Sequence, residues 1–361
     1  MAYTTIDKPE DHFNIVTYTG NDTNNRSITG LGFQPDFTWI KQRQTQVFDN
    51  ALFDSNRGTN KKLASNTTAA EVSPTLYGGV GSFDSDGFTL VNGTTAVLGS
   101  YMFEVNKSSE TYVAWNWKAN GGTTSSNTSG TITSTVQADT TAGFSIVSWA
   151  GNAQNATIGH GLGATPKVII SKALGTTNDW NVYHRDLDAT APYNYLLNLH
   201  NENTRSAATG SWGTSLSDIN STTFYKKYWI NYNTNMIAYC FAEKQGYSKF
   251  GKYKGNTNTN GAFVYTGFKP AFVLIKKIDV SNDSWVILDT ARNPYNGMDA
   301  RLFPDLTNAE STSQVLIDSL SNGFKLRTAD TAYNGSGVTY IYMAFAENPF
   351  VTSTGIPTTA R

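Results

Sequence analysis

Two carboxylates in Asp84-Ser85-Asp86-Gly87 have the spacing with which a calcium loop begins, because oxygens two residues apart can converge on one hard cation. A later stretch, Ser321-Asn322-Gly323-Phe324, matches Ser85-Asp86-Gly87-Phe88 without those carboxylates, so the shared feature reads as a turn entering a strand. Glu243 and Glu347 stand at equivalent places near the ends of two apolar runs, where a glycosidase pair would be sought. They fall in different repeats, and a strand-ending glutamate commonly pairs with a lysine. His12, His160, His184 and His200 lack close metal-ligand spacing, and the single cysteine, Cys240, lies in an apolar run suited to core packing. His160 occupies a glycine-rich loop, but its counterpart in an earlier segment is Thr29, which favours a turn role. Gly78-Gly79-Val80-Gly81 is followed by no Lys-Ser or Lys-Thr pair, and no serine sits in a strand-to-helix elbow. No catalytic residue, metal or cofactor is therefore expected, and a glycan-active enzyme is the remotest reading.

Aromatic rings offer a different chemistry, since flat apolar faces stack on the C–H faces of saccharides. Trp39, Trp115, Trp149, Trp180 and Trp285 lie in runs that recur along the chain and are assigned to packing. Trp212, Tyr225, Tyr228, Trp229 and Tyr232 fall in an excursion without a counterpart elsewhere. The candidate ligand-binding residues are Trp212, Tyr228, Trp229 and Tyr232, with Asn220, Asn231 and Asn233 beside them as hydrogen-bonding groups. Strand packing or a subunit contact explains the same residues.

The elements that would carry these groups emerge from internal similarity. Phe13-Asn14-Ile15-Val16-Thr17-Tyr18-Thr19-Gly20-Asn21 recurs as 144–152 and, more worn, as 250–256, each ending in Gly-Asn. A proline then precedes an apolar run in every copy: Pro35 before Phe37-Thr38-Trp39-Ile40-Lys41, Pro166 before Val168-Ile169-Ile170-Ser171-Lys172, and Pro270 before Phe272-Val273-Leu274-Ile275-Lys276. Closing runs at 112–117, 237–243 and 342–347 are apolar on both parities, which predicts strands covered on both faces. Residues 308–320 read as a loop or one short helix. The expected fold is all-β, with three tandem divergent β-sandwich units of jelly-roll or lectin-like type at 1–120, 143–245 and 246–361. Residues 121–142 are rich in Gly, Ser and Thr and read as a linker, with 131–136 able to form a strand.

Composition supports this. Aromatics make up 13% of the chain and glycines number 31, which suits strands joined by tight turns. A net charge of −1 gives no field to gather phosphates, so nucleic acid is a poor partner. The polar start and the absence of any run of about 18 apolar residues point to neither a signal peptide nor membrane insertion.

Several strings, among them Tyr18-Thr19-Gly20-Asn21, Phe53-Asp54-Ser55-Asn56-Arg57-Gly58, Tyr112-Val113-Ala114-Trp115-Asn116-Trp117-Lys118 and Met343-Ala344-Phe345-Ala346-Glu347, resemble a repeated domain of tailed bacteriophages, marine ones in particular. The resemblance runs over nearly the whole chain. It implies a virion protein made in the host cytoplasm, partnered by other virion proteins and carrying no catalytic residues. A tail-fibre or adhesion component binding cell-surface glycans is expected first, and capsid decoration or another architectural role second. A homo-oligomer is expected, with a trimer first choice because virion appendages are usually symmetric, and closed cyclic assemblies are also the general rule for homo-oligomers.

Overall fold

The opening runs form strands Phe13–Thr19, Phe144–Ala150 and Ser248–Lys254 in a computed structural model that describes residues 2–44, 48–280 and 283–358. Each lies beside its closing strand, Thr111–Trp117, Asn235–Phe241 or Thr339–Pro349. The far edge of each closing strand pairs with the proline-led strand, Phe37–Gln42, Val168–Ala173 or Phe268–Lys277. A fourth strand follows, Ala51–Asp54, Asn181–His184 or Val286–Asp289. All these pairs are antiparallel, and the order opening, closing, proline-led, fourth is the same in all three main sheets. Central placement accounts for the closing runs being apolar on both parities, because both of their faces are covered.

One face of each main sheet meets a smaller sheet from the same repeat. The first is built from Arg26–Thr29, Gly79–Asp84 and Gly87–Val91, the second from Ala156–Gly159 and Thr223–Lys226, and the third from Phe263–Tyr265, Ile317–Leu320 and Gly323–Leu326. Between the layers lie three separate clusters, with Ile40, Phe53, Phe88 and Leu90 in the first, Ile158, Ile169 and Phe224 in the second, and Val273, Leu288 and Phe324 in the third. The opposite faces of the main sheets share one further core that draws on all three repeats. At its centre the equivalent rings of Trp117, Phe241 and Phe345 meet edge to face, with centroids 6.3, 5.6 and 5.9 Å apart. Edge-to-face contact suits ring quadrupoles and adds to the large apolar area removed from water.

Three expectations change. Within 121–142, Ser125–Asn127 and Ser134–Asp139 pair with each other, and the latter also pairs with Phe144–Ala150, so much of the supposed linker belongs to the second main sheet. Val136 and Gln137 are buried there, which repays ordering a Gly- and Ser-rich stretch. Residues 308–320 hold no helix and end in strand Ile317–Leu320; the one α-helix among the described residues is the single turn Thr331–Asn334. Pro270 lies inside its strand, at a register shift where the ladder does not need its missing N–H. Among the described residues no helix is long and apolar enough to cross a membrane.

Candidate functional site

Polar groups concentrate at the seams between main sheets, where the shared core meets the fourth strands. Asp54, His184 and Asp289 occupy one register position, opposite Phe37, Val168 and Phe272. Each reaches a closing strand of the next repeat. Tyr239 donates its hydroxyl to Asp54 Oδ2 at 2.7 Å, His184 Nε2 lies 3.3 Å from the Tyr342 carbonyl, and Trp115 Nε1 donates to Asp289 Oδ2 at 2.9 Å. The contacts run first to second, second to third and third to first, so the repeats close a ring around the aromatic centre. Arg57 and Arg292 hold the two aspartates at 2.5 and 2.7 Å and donate onward to Glu71 and Glu310. In the second repeat Leu187 replaces the arginine. Burial pushes His184 down to about 4, so a neutral imidazole, accepting from the Asp186 N–H at 3.1 Å, stands where the others carry an ion pair.

A second ring runs in the opposite sense. Lys41, Lys172 and Lys276 share a register position and donate to carbonyls of Leu306, Thr68 and Glu202, each in the preceding repeat, at 3.1, 3.1 and 2.8 Å. Burial pushes all three down to about 8. Beside them Trp180 Nε1 donates to the Ala64 carbonyl, Trp285 Nε1 to Asn198 and Asn50 Nδ2 to Phe303, again from equivalent positions. Each of these groups donates to a backbone carbonyl of a neighbouring repeat, which fits them to hold sheets in register.

The aromatic tract does not form one platform. Trp212 is wholly buried, 5.7 Å from the Tyr183 ring and 4.4 Å from the Lys226 ammonium, so its expected role in binding is corrected to packing. Lys226 lies equally deep, donates to Ser171 Oγ at 2.7 Å and is pushed down by burial to about 7. Tyr228 and Trp229 sit on the short 3-10 turn Tyr228–Ile230 and are 54% and 37% exposed, while Tyr232 is half-buried against the second repeat's core. Asn231 is buried and clasps Asn152, and Asn220 folds back onto Thr222 and Thr223. The tract thus presents outward only the rings of Tyr228 and Trp229 among its four candidates.

The other groups weighed in the sequence are engaged in local contacts. Asp86 accepts from the N–H groups of Gly30 and Gly32, and Gly30 has a φ of +94° that a side chain would resist. His160 Nε2 meets the Asn220 carbonyl at 3.0 Å, and burial lowers its pKa to about 4. Burial raises the Cys240 thiol, the opposite of what a nucleophile needs. Glu243 is held by Lys167 and Lys249, and Glu347 by Lys269. Among the described residues no cluster of His, Cys, Asp or Glu is placed to hold a metal.

Two seams open at the surface. A cleft of about 580 Å³ is lined by Asn56, Arg57 and Glu71 with Trp149, Gly175 and Asn235, and one of about 360 Å³ by Arg205, Tyr253 and Asp279. At the third seam Arg43 stands in the register position of Leu174 and Ile278 and bridges to Glu310 with contacts of 2.7 and 2.9 Å. The joint role of the seam residues escaped the sequence reading although the spacing Asp-x-x-Arg occurs in both Asp54–Arg57 and Asp289–Arg292. His184 and Leu187 break the pattern in the middle copy.

A family model described as a domain of unknown function, DUF7483, matches residues 8–349. No curated protein and no solved structure matches the chain.

Proposed function

The chain belongs to the DUF7483 family, and from that premise we propose that it is three tandem β-sandwich units serving as a non-catalytic component of a tailed-phage particle. Its first role in this reading is tail-fibre or adhesion: the frame stays fixed while loops at its surface meet host glycans. The observation that carries the proposal is the use of buried ionisable groups. Asp54, Asp289 and the three seam lysines are spent on contacts between repeats, and Arg57 and Arg292 hold the two aspartates in place for them, the economy of a rigid scaffold. Loops on such a scaffold vary at little energetic cost. The resemblance of the sequence to phage proteins supplies the setting.

Capsid decoration is the second reading, and the three-around-an-axis arrangement of the main sheets favours it, because such an arrangement suits a site of threefold symmetry. A homo-oligomer belongs to either reading. The inter-repeat hydrogen bonds of the three seams are already made within one chain, so they do not supply its interface. Light scattering distinguishes a trimer from a single 39.4 kDa chain. Electron microscopy of particles with an antibody-labelled chain separates the main readings: label on the tail tip or fibres supports adhesion, label on the head supports decoration, and particles without label overturn both.

A further inference from the structure

The third repeat carries a hollow of about 350 Å³ beside the end of its closing strand, and no residue of the aromatic tract lines it. Tyr295 stands in its wall and is 85% exposed, higher than any other large apolar or aromatic side chain among the described residues. The loop that carries this ring is braced. Asn293 donates to Asp299 at 2.7 Å and accepts from the Ala300 N–H at 2.9 Å, while Met298 pairs with Ile317. A ring held outward on a braced loop exposes apolar surface that the fold does not use.

Glu347 lines the same hollow with one oxygen committed and one not. Its Oε1 accepts from Lys269 at 2.8 Å, whereas Oε2 is out of contact with solvent and has no hydrogen-bond partner. An unpaired carboxylate oxygen in that position is unfavourable, and because the side chain as a whole is 34% exposed, a donor in the hollow meets the carboxylate at Oε1, which has a lone pair beyond its bond to Lys269. The equivalent Glu243 has no such vacancy, because Lys167 and Lys249 each approach it at 2.5 Å, the second from the strand that opens the next repeat. In the first repeat the same place is taken by the turn at 119–122, whose N–H groups wrap Asp36. In the third, the following residues run instead against the N-terminal segment, where Ser353 bonds Asp7.

The lining fixes the class of ligand. Lys269 and Glu347 cancel in charge, and the remaining polar groups are amides and hydroxyls apart from the tyrosine, so neither an anion nor a cation finds a net attraction. Asn296 fixes its amide by accepting from the N–H groups of Gly297 and Ser319 at 3.0 Å each, which orients its Nδ2 donor. Met298 and Leu320 add apolar wall. We propose that this hollow binds a neutral saccharide, with a pyranose face stacked on Tyr295 and ring hydroxyls donating to Glu347 and accepting from Asn296 and Lys269. The biological use of the site rests on the adhesion reading.

Saturation-transfer NMR and calorimetry on the full chain, with methyl glycosides of glucose, galactose, mannose and N-acetylglucosamine as probes, test the assignment. Binding of at least one probe is expected, weakened tenfold or more in Tyr295→Ala and in Glu347→Gln and unchanged in Trp229→Ala. Tyr295→Ala alters an exposed side chain, so an unchanged melting temperature will show that it folds. Binding that survives Tyr295→Ala but is lost in Trp229→Ala overturns this site and leaves adhesion standing. Absence of binding to every probe overturns the site as well; adhesion is then judged separately, by whether the purified chain competes with particles for host cells.

Discussion

Arg292 and Asp289 are both wholly buried, and truncating the arginine strands a carboxylate among apolar groups. Arg292→Leu is expected to cost about 3–5 kcal/mol, the usual penalty for leaving one buried charge unpaired. The second repeat shows the remedy, since His184 and Leu187 occupy the corresponding positions. The double variant Asp289→His with Arg292→Leu should therefore recover much of that loss in urea unfolding; a double variant less stable than the single one would refute the equivalence. The buried lysines, three at the seams and Lys226 inside the second repeat, predict a pH effect. Lys41, Lys172, Lys276 and Lys226 are pushed below their ordinary 10.5 to between about 7 and 8 by burial. The folded chain then releases these protons before the unfolded chain does, so the unfolded state binds more protons over this range and stability rises with pH. The urea midpoint should increase between about pH 8 and 9, below the range where the tyrosines of the unfolded chain ionise. A midpoint that falls over that interval would show the ammonium groups to be better accommodated than their burial implies.

Each Gly-Asn turn is tied down by a second, buried asparagine late in the same repeat. Asn106, Asn231 and Asn334 donate to the side chains of Asn21, Asn152 and Asn256 at 3.1, 3.0 and 3.1 Å and to the carbonyls of Thr23, Gln154 and Asn258. Their own carbonyls accept from Asp22, Ala153 and Thr257, three residues held at φ between +53° and +56°. The clasp closes the end of the opening strand onto the loop before the closing strand, which explains why the turn signal survives even in the worn third copy. Replacing any one of the three with alanine leaves several buried groups unpaired and should cost about 1–3 kcal/mol. Similar losses for Asn106→Ala, Asn231→Ala and Asn334→Ala in thermal melts are the expected result. A neutral outcome in one copy would mean that its turn is fixed by other means.

For the molecule entire, the shared core predicts cooperativity. Trp117, Phe241 and Phe345 belong to different repeats, yet each removes the others from water, so no repeat keeps its inner face covered when a neighbour unfolds. Calorimetry should show one transition whose calorimetric and van't Hoff enthalpies agree. Three resolved transitions would show that the repeats are stable separately and that the common core contributes little.

Strand identity was legible in the chain because alternation, Gly-Asn turns and prolines at strand entrances act over a few residues. So was the repeat itself, and with it the central place of Ala114, Ala238 and Ala344 in runs that must be covered on both faces. The partners of the faces turned to the shared core lie more than a hundred positions apart, and no local pattern distinguishes a Trp212 turned inward from a Trp229 turned outward. Only the tertiary structure joined Asp54 to Tyr239 and Asp289 to Trp115. It also left Glu347 with one oxygen unpaired where Glu243 has two lysines, because that difference arises from where the following segment runs. Local propensity specifies the strand, whereas the burial of its second face is settled by which distant surface removes it from water.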